Sequence, residues 1–167
     1  EESIRTIKHL NSKYDMELKV AINISPRQFM EHDFISKLRE YIFHYDVNSS
    51  WIELEITEEL TMNNEELVLA KLIEISNMGV KIAIDNFGRG YSSFLYLKKF
   101  PINTIKIAME LVKGIGDCIE DYKIVKSIIS MCRDMEIEVI AEGFENQIQW
   151  NILKNIGCYS VQGYFSG

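Results

Sequence analysis

The strongest constraint on this chain is the side-to-side parity of its short β-branched runs. Lys19–Ile24 (KVAINI), Trp51–Thr57 (WIELEIT), Val80–Ile84 (VKIAI), Thr104–Ile107 (TIKI), Glu138–Ala141 (EVIA) and a weaker Tyr159–Phe165 read as strands by length and Ile/Val content. Successive strand side chains point to opposite faces. Val20, Ile22 and Ile24 therefore oppose Ala21 and Asn23, and Ile52, Leu54 and Ile56 oppose Glu53, Glu55 and Thr57. Val80, Ile82 and Ile84 oppose Lys81, Ala83 and Asp85, and Ile105 and Ile107 oppose Thr104 and Lys106. Val139 and Ala141 oppose Glu138, Ile140 and Glu142. Each run thus has an apolar row and a second row whose last polar residue stands at the C-terminal end.

Helix-period segments lie between the runs. Pro26 to about Tyr45 opens on Ser25-Pro26, a cap and first-turn pair, and Asn63 to Met78 stops before Gly79. Tyr91 to Phe100 stops before Pro101, Ile115 to Met135 is long and amphipathic, and Glu145 to Ile156 stops before Gly157. The first dozen residues read as the end of another helix. Alternation of this kind predicts βα units and a parallel sheet. An open sheet covered on both faces would read as continuous apolar strands and would bury these charges at a large cost. A barrel with a polar interior, its site at the strand C-termini, accommodates them. A complete barrel takes about 250 residues and eight strands, whereas this chain has 167 residues. The expected fold is α/β: a (β/α)8 TIM-type barrel, incomplete, with about six parallel strands in a single domain over residues 1–167.

Composition narrows the function classes. Hydrophobic residues make up 47% of the chain with only 9 Gly and 2 Pro, which excludes a disordered or fibrous protein. A net charge of −7 without a Lys/Arg block argues against nucleic acid as a partner. No apolar run reaches the roughly 18 residues of a membrane span, so no direct membrane insertion is expected. Cys118, Cys132 and Cys158 form no CxxC pair, which speaks against a zinc ribbon or a disulfide framework and for a reducing, cytoplasmic setting. That setting includes the cytoplasmic part of a membrane-anchored protein. His9, His32 and His44 fall in helix-like segments and suggest neither a triad nor a histidine metal site.

The polar strand ends are Asn23, Glu55, Asp85-Asn86, Lys106 and Glu142, with Glu145 just beyond. Four carboxylates, two amides and a lysine gathered at one rim would repel unless a cation shared them. Oxygen donors without His or Cys indicate a hard ion, Mg²⁺, Mn²⁺ or Ca²⁺. The competing reading is that these acids sit in surface loops or pair with Lys81 and Lys106.

The order NIS (Asn23–Ser25), ELEITE (Glu53–Glu58), DNFGRGYSS (Asp85–Ser93), IKIA (Ile105–Ala108), AEGFE (Ala141–Glu145) and QGY (Gln162–Tyr164) resembles the EAL family of cyclic di-GMP phosphodiesterases. The resemblance runs from about Lys19 to the end, and its strength lies in six motifs in one order. It implies a modified (β/α)8 barrel whose first strand is antiparallel, cyclic di-GMP as ligand, and two Mg²⁺ or Mn²⁺ ions. By motif, Asn23, Glu55, Asp85, Asn86 and Glu142 correspond to the metal side of the site, with Asp85 bridging. Lys106, Glu142 and Glu145 correspond to catalytic or supporting positions. Gln162, Arg27 and Gly88 face the substrate, and Glu58 anchors the loop after Asp85. The implied chemistry is two-metal hydrolysis of one ester bond to linear pGpG.

Four departures accompany the match. The motif that names the family lies upstream of Asn23, so two barrel strands and a metal-binding glutamate are expected before Glu1. Asn86 stands where active members carry a second aspartate, and Ala108 where KID would place an acid. Arg89 replaces a commonly small loop residue. The resulting expectation is a catalytically impaired copy serving in binding or regulation. It would be a fragment of a longer signalling protein with sensory or GGDEF-type neighbours, or one whose open sheet edges are covered in a homodimer. The alternatives are an active phosphodiesterase once the upstream segment is present, a protein–protein scaffold, and an unrelated two-carboxylate glycosidase.

Overall fold

A computed structural model describes residues 1–62, 65–90 and 97–163. The expected helix start at Asn63, most of the Tyr91–Phe100 segment, and Tyr164 and Phe165 lie outside the described residues. The chain divides into two compact units, Glu1–Ala83 with Phe94–Pro101, and Ile84–Ser93 with Ile102–Gly167.

The first unit begins with helix α1 (Glu2–Tyr14), which buries Ile4 and Ile7 and ends at Asp15 in the left-handed region. The Asn11 amide then steers the chain into the sheet. Its Nδ2 donates to the Leu18 carbonyl at 2.9 Å, and the Leu18 N–H donates to its Oδ1 at 2.9 Å. Strand β1 (Val20–Ile24) pairs in parallel with β2 (Ile52–Thr57), with Val20 opposite Ile52 and Asn23 opposite Glu55. The row Ile52, Leu54 and Ile56 is buried, as parity predicts. Each such side chain contributes about 1.5–3 kcal/mol by leaving water.

The expected helix from Pro26 to Tyr45 is two helices, α2 (Pro26–Met30) and α3 (Phe34–His44). Helix α2 opens on a capping box, Gln28 N–H to Ser25 Oγ at 3.3 Å and Ser25 N–H to Gln28 Oε1 at 3.1 Å. It stops because Glu31 turns to extended ψ. Lys71 Nζ donates to the carbonyls of Phe29 and Glu31, each at 2.8 Å, and so satisfies acceptors that a longer helix would have used. Fully buried Phe29 packs against Phe34 across the break, ring centroids 5.7 Å apart. After β2 come α4 (Glu58–Met62), a turn the sequence reading did not anticipate, and α5 (Glu65–Asn77). Helix α5 ends ahead of Gly79, whose φ of 87° only glycine adopts freely.

Strand β3 (Lys81–Phe87) runs three residues past the expected Ile84. The second unit continues with β4 (Thr104–Ile107), α6 (Met109–Gly114), α7 (Ile119–Asp134), β5 (Glu138–Glu142), α8 (Gln147–Asn155) and β6 (Ser160–Gln162). Strands β4 and β5 are parallel with Thr104 opposite Glu138, and β5 and β6 are parallel with Glu142 opposite Gln162. The long helix expected from Ile115 is shorter and starts at Ile119. The N–H groups of Asp117 and Cys118 both donate to the Gly114 carbonyl, closing a turn before α7 begins. Among the described residues, the weak final run is strand over Ser160–Gln162. Strand order in the sheet is β1-β2-β3-β4-β5-β6, the sequential order that βα connections generate. The fold class is therefore the expected α/β one, six strands of the (β/α)8 type. No helix among the described residues is long and apolar enough to cross a membrane.

Cys132 is fully buried on α7, and loss of water around it pushes its thiol pKa up to about 12; burial raises Cys158 as well. Both thiols favour the folded state while neutral. That contribution is complete below the ordinary thiol range of about 8.5. For Cys132 it is lost as pH rises through about 12. Native protein at pH 8 should therefore titrate one thiol with an aromatic disulfide reagent, half-exposed Cys118, and three in urea. Rapid native reaction of all three would contradict the packing.

Candidate functional site

In the second unit the strand ends enclose a cleft of about 470 Å³ lined by Asn86, Met109, Glu142, Gly143, Gln162 and Gly163. Lys106 lies on β4 opposite Ile140 of β5. Residues two apart share a face, so Glu142 is its diagonal neighbour, within reach of a long side chain. Lys106 Nζ and Glu142 Oε1 are 2.7 Å apart, with side chains only 7% and 19% exposed. Such a pair holds because each charge offsets the desolvation of the other.

The end of β3 is closed on itself. Asn86 has φ 56°, the left-handed region that Asn tolerates better than most residues. This turn lets its backbone N–H donate to Asp85 Oδ1 at 2.9 Å and its side-chain Nδ2 donate to Asp85 Oδ2 at 2.9 Å. The opposite amide orientation would face oxygen to oxygen, so the carboxylate itself dictates which atom points at it. Behind this turn the Ala108 N–H donates to the Phe87 carbonyl at 3.1 Å. Arg89 reaches Glu110 of α6 at 3.0 Å through an exposed pair.

The floor is glycine. Gly143 has φ 72°, and a Cβ there would stand 2.2 Å from Met109 Cγ, so only hydrogen at 143 lets Met109 lie across it. The Gly143 N–H donates to the Gln162 carbonyl at 2.6 Å, which sets β6 beside the end of β5. Met109, Gly143 and Gly163 line the cleft although sequence reasoning assigned them no role. The signal for Met109 was available, because the residue following a βα strand end faces the same rim.

The other expected residues are placed as follows. Gln162 and Glu142 line the cleft, and Lys106 reaches it through Glu142. Gly88 packs beneath the turn against Leu111. Glu145 is exposed, paired with Lys113 at 2.8 Å, and does not line the cleft. In the first unit, exposed Asn23 stands opposite buried Glu55 at the strand ends, Arg27 is exposed on α2, and buried Glu58 opens α4.

The donor chemistry at these strand ends is hard oxygen throughout, which suits Mg²⁺ or Mn²⁺ in kind. The arrangement in the second unit does not suit them. Asp85 is held by Asn86 and Glu142 by Lys106, and no group of three or more His, Cys, Asp or Glu among the described residues is placed to hold a metal ion. As it stands the cleft offers two side-chain amides, a glycine floor open to close approach, an apolar thioether wall and a lysine–carboxylate pair. That set suits a polar planar ligand with an anionic group.

The family model for the EAL domain matches residues 1–167. The signaling protein YkoW of Bacillus subtilis is 38% identical over 149 residues, covering 89% of this chain and 19% of that protein. MucR of Pseudomonas aeruginosa, described as a bifunctional diguanylate cyclase/cyclic di-GMP phosphodiesterase, is 34% identical over 148 residues, 89% of this chain and 22% of its own. The chain thus spans about a fifth of the length of these relatives. The solved structure described as the MucR phosphodiesterase in complex with c-di-GMP matches with a TM-score of 0.94 at 32% identity, over 99% of this chain and 67% of that one. A manganese/c-di-GMP complex of BlrP1 from Klebsiella pneumoniae matches with a TM-score of 0.85 at 28% identity, over 98% of this chain and 42% of that one.

Replacing Lys106 by Met leaves the Glu142 carboxylate buried beside no ammonium. Urea denaturation should show a loss of about 2–4 kcal/mol, toward the lower end because Glu142 keeps some contact with water. The double variant K106M/E142Q should recover part of the loss. An unchanged K106M midpoint would mean that the pair contributes nothing.

Proposed function

The chain belongs to the EAL domain family, and on that premise we propose that it binds cyclic di-GMP and hydrolyses it poorly if at all, serving as a binding or regulatory module in cytoplasmic signalling. The observation that carries the reading is Asn86. It lines the cleft at the end of β3 and donates its amide to Asp85, where active members of the family place a second carboxylate. The ligand itself is suggested by relatives of this fold described as c-di-GMP complexes.

Each residue then has a binding role. The amides of Asn86 and Gln162 supply donors and acceptors for guanine edges, and Met109 offers an apolar wall for a purine face. Lys106 supplies positive charge toward a phosphodiester, while its bond to Glu142 limits the carboxylate as a base. Gly88 and Glu58 shape the loop and turn that follow β3 and β2, and exposed Arg27 is a further phosphate partner by motif. In the family a bound divalent ion supplies hydroxide near neutral pH. Asn23 and Glu55 keep the ligand types for Mg²⁺ or Mn²⁺, whereas Asn86 and Ala108 each lack the acid expected at their positions. Glu145, tied to Lys113, supports the start of α8 rather than the reacting bond.

Calorimetry should show cyclic di-GMP binding, and chromatography after incubation with Mg²⁺ or Mn²⁺ should recover the dinucleotide intact. Production of pGpG at roughly 1 s⁻¹ or faster, an ordinary enzyme rate, would establish an active phosphodiesterase instead. Absence of any binding heat would favour the scaffold reading.

A further inference from the structure

The two carboxylates at the ends of β3 and β5 in the second unit are both held by donors from within the protein. Asp85 receives two donors from Asn86, at 2.9 Å each, and Glu142 receives the Lys106 ammonium at 2.7 Å. A divalent ion at this rim would have to displace an amide from one carboxylate and an ammonium from the other. It would gain only a neutral oxygen from Asn86. We infer that Asn86 and Lys106 stand in for a metal ion, so that the second-unit cleft takes its phosphodiester ligand without a divalent cation. The inference rests on the reading of this cleft as a cyclic dinucleotide site.

The physical argument is one of charge balance. Adjacent carboxylates at positions 85 and 86 would repel, a repulsion that a shared cation relieves. An amide at 86 removes that repulsion and turns the neighbour into a hydrogen-bond donor. The turn geometry is part of the device, because the left-handed φ of Asn86 folds its side chain back over Asp85 instead of outward. With both acids hydrogen-bonded and Glu142 paired with an ammonium, neither carboxylate is left bare toward an incoming phosphodiester.

The experiment is a Mn²⁺ titration, with free ion followed by electron paramagnetic resonance, on the wild-type chain and on Asn86→Asp. Cyclic di-GMP calorimetry on both, with and without a chelator, accompanies it. Asn86→Asp is expected to bind one Mn²⁺ more than wild type, or to bind it at least about tenfold more tightly. Chelator should change the wild-type affinity for cyclic di-GMP by less than about twofold and weaken Asn86→Asp by about tenfold or more. Should Asn86→Asp fail to fold, Asn86→Gly keeps the left-handed turn and frees Asp85 Oδ2 from the side-chain amide, and is expected to gain a weaker Mn²⁺ site. Equal Mn²⁺ binding by wild type and variant, or a large chelator effect on wild type, overturns the inference. If wild type binds no cyclic di-GMP, the functional reading fails while the Mn²⁺ comparison still decides whether Asn86 replaces an ion.

Discussion

The ion pair between Lys106 and Glu142 is the interaction on which the second unit's site depends. An ammonium and a carboxylate that are nearly out of water are each costly alone, and together they become tolerable only at hydrogen-bond distance. That requirement fixes more than two side chains. It needs β4 and β5 parallel, in the register that puts Lys106 opposite Ile140, and it needs the polar rows of both strands on one face. The same strands bury Ile105, Ile107 and Ala141 on the other side. Register and charge pairing thus constrain each other, since a one-residue slip would turn every side chain to the wrong face.

Asn86, Arg89 and Ala108 meet in one local structure. Asn86 ends β3, Arg89 follows it, and Ala108 begins the turn into α6. The Ala108 N–H to Phe87 carbonyl bond joins the two segments, and the Arg89–Glu110 pair joins them again from outside. Ala108 is fully buried, so its small apolar side chain suits the packing there. At the strand ends of the second unit, Asp85 and Glu142 are each matched by a protein donor.

Much of this was legible beforehand, and what was missed has common causes. All six strands were anticipated, because period-two alternation is a local property that five or six residues display by themselves. The breaks after Met30 and before Ile119 were not. The first is stabilised by Lys71, some forty residues along the chain, donating to α2 carbonyls, and the second by a turn onto Gly114 within an otherwise periodic apolar pattern. The candidate site divides in the same way. Asn86, Lys106, Glu142 and Gln162 follow from strand ends and motifs, while Met109 and the glycine floor emerge only when α6 is laid against the end of β5.

The sequence by itself determined which segments are strands, which row of each strand is apolar, and which polar residue ends each row. It also determined the family, through the order of six short motifs. Tertiary structure alone decided what each charge at the rim is matched with: Glu142 with Lys106, Asp85 with its neighbour's amide, and Glu145 with Lys113 away from the cleft. The reason is range. Side-chain parity depends on bonds between adjacent residues, whereas neutralising a buried charge depends on which distant or differently turned donor reaches within 3 Å of it.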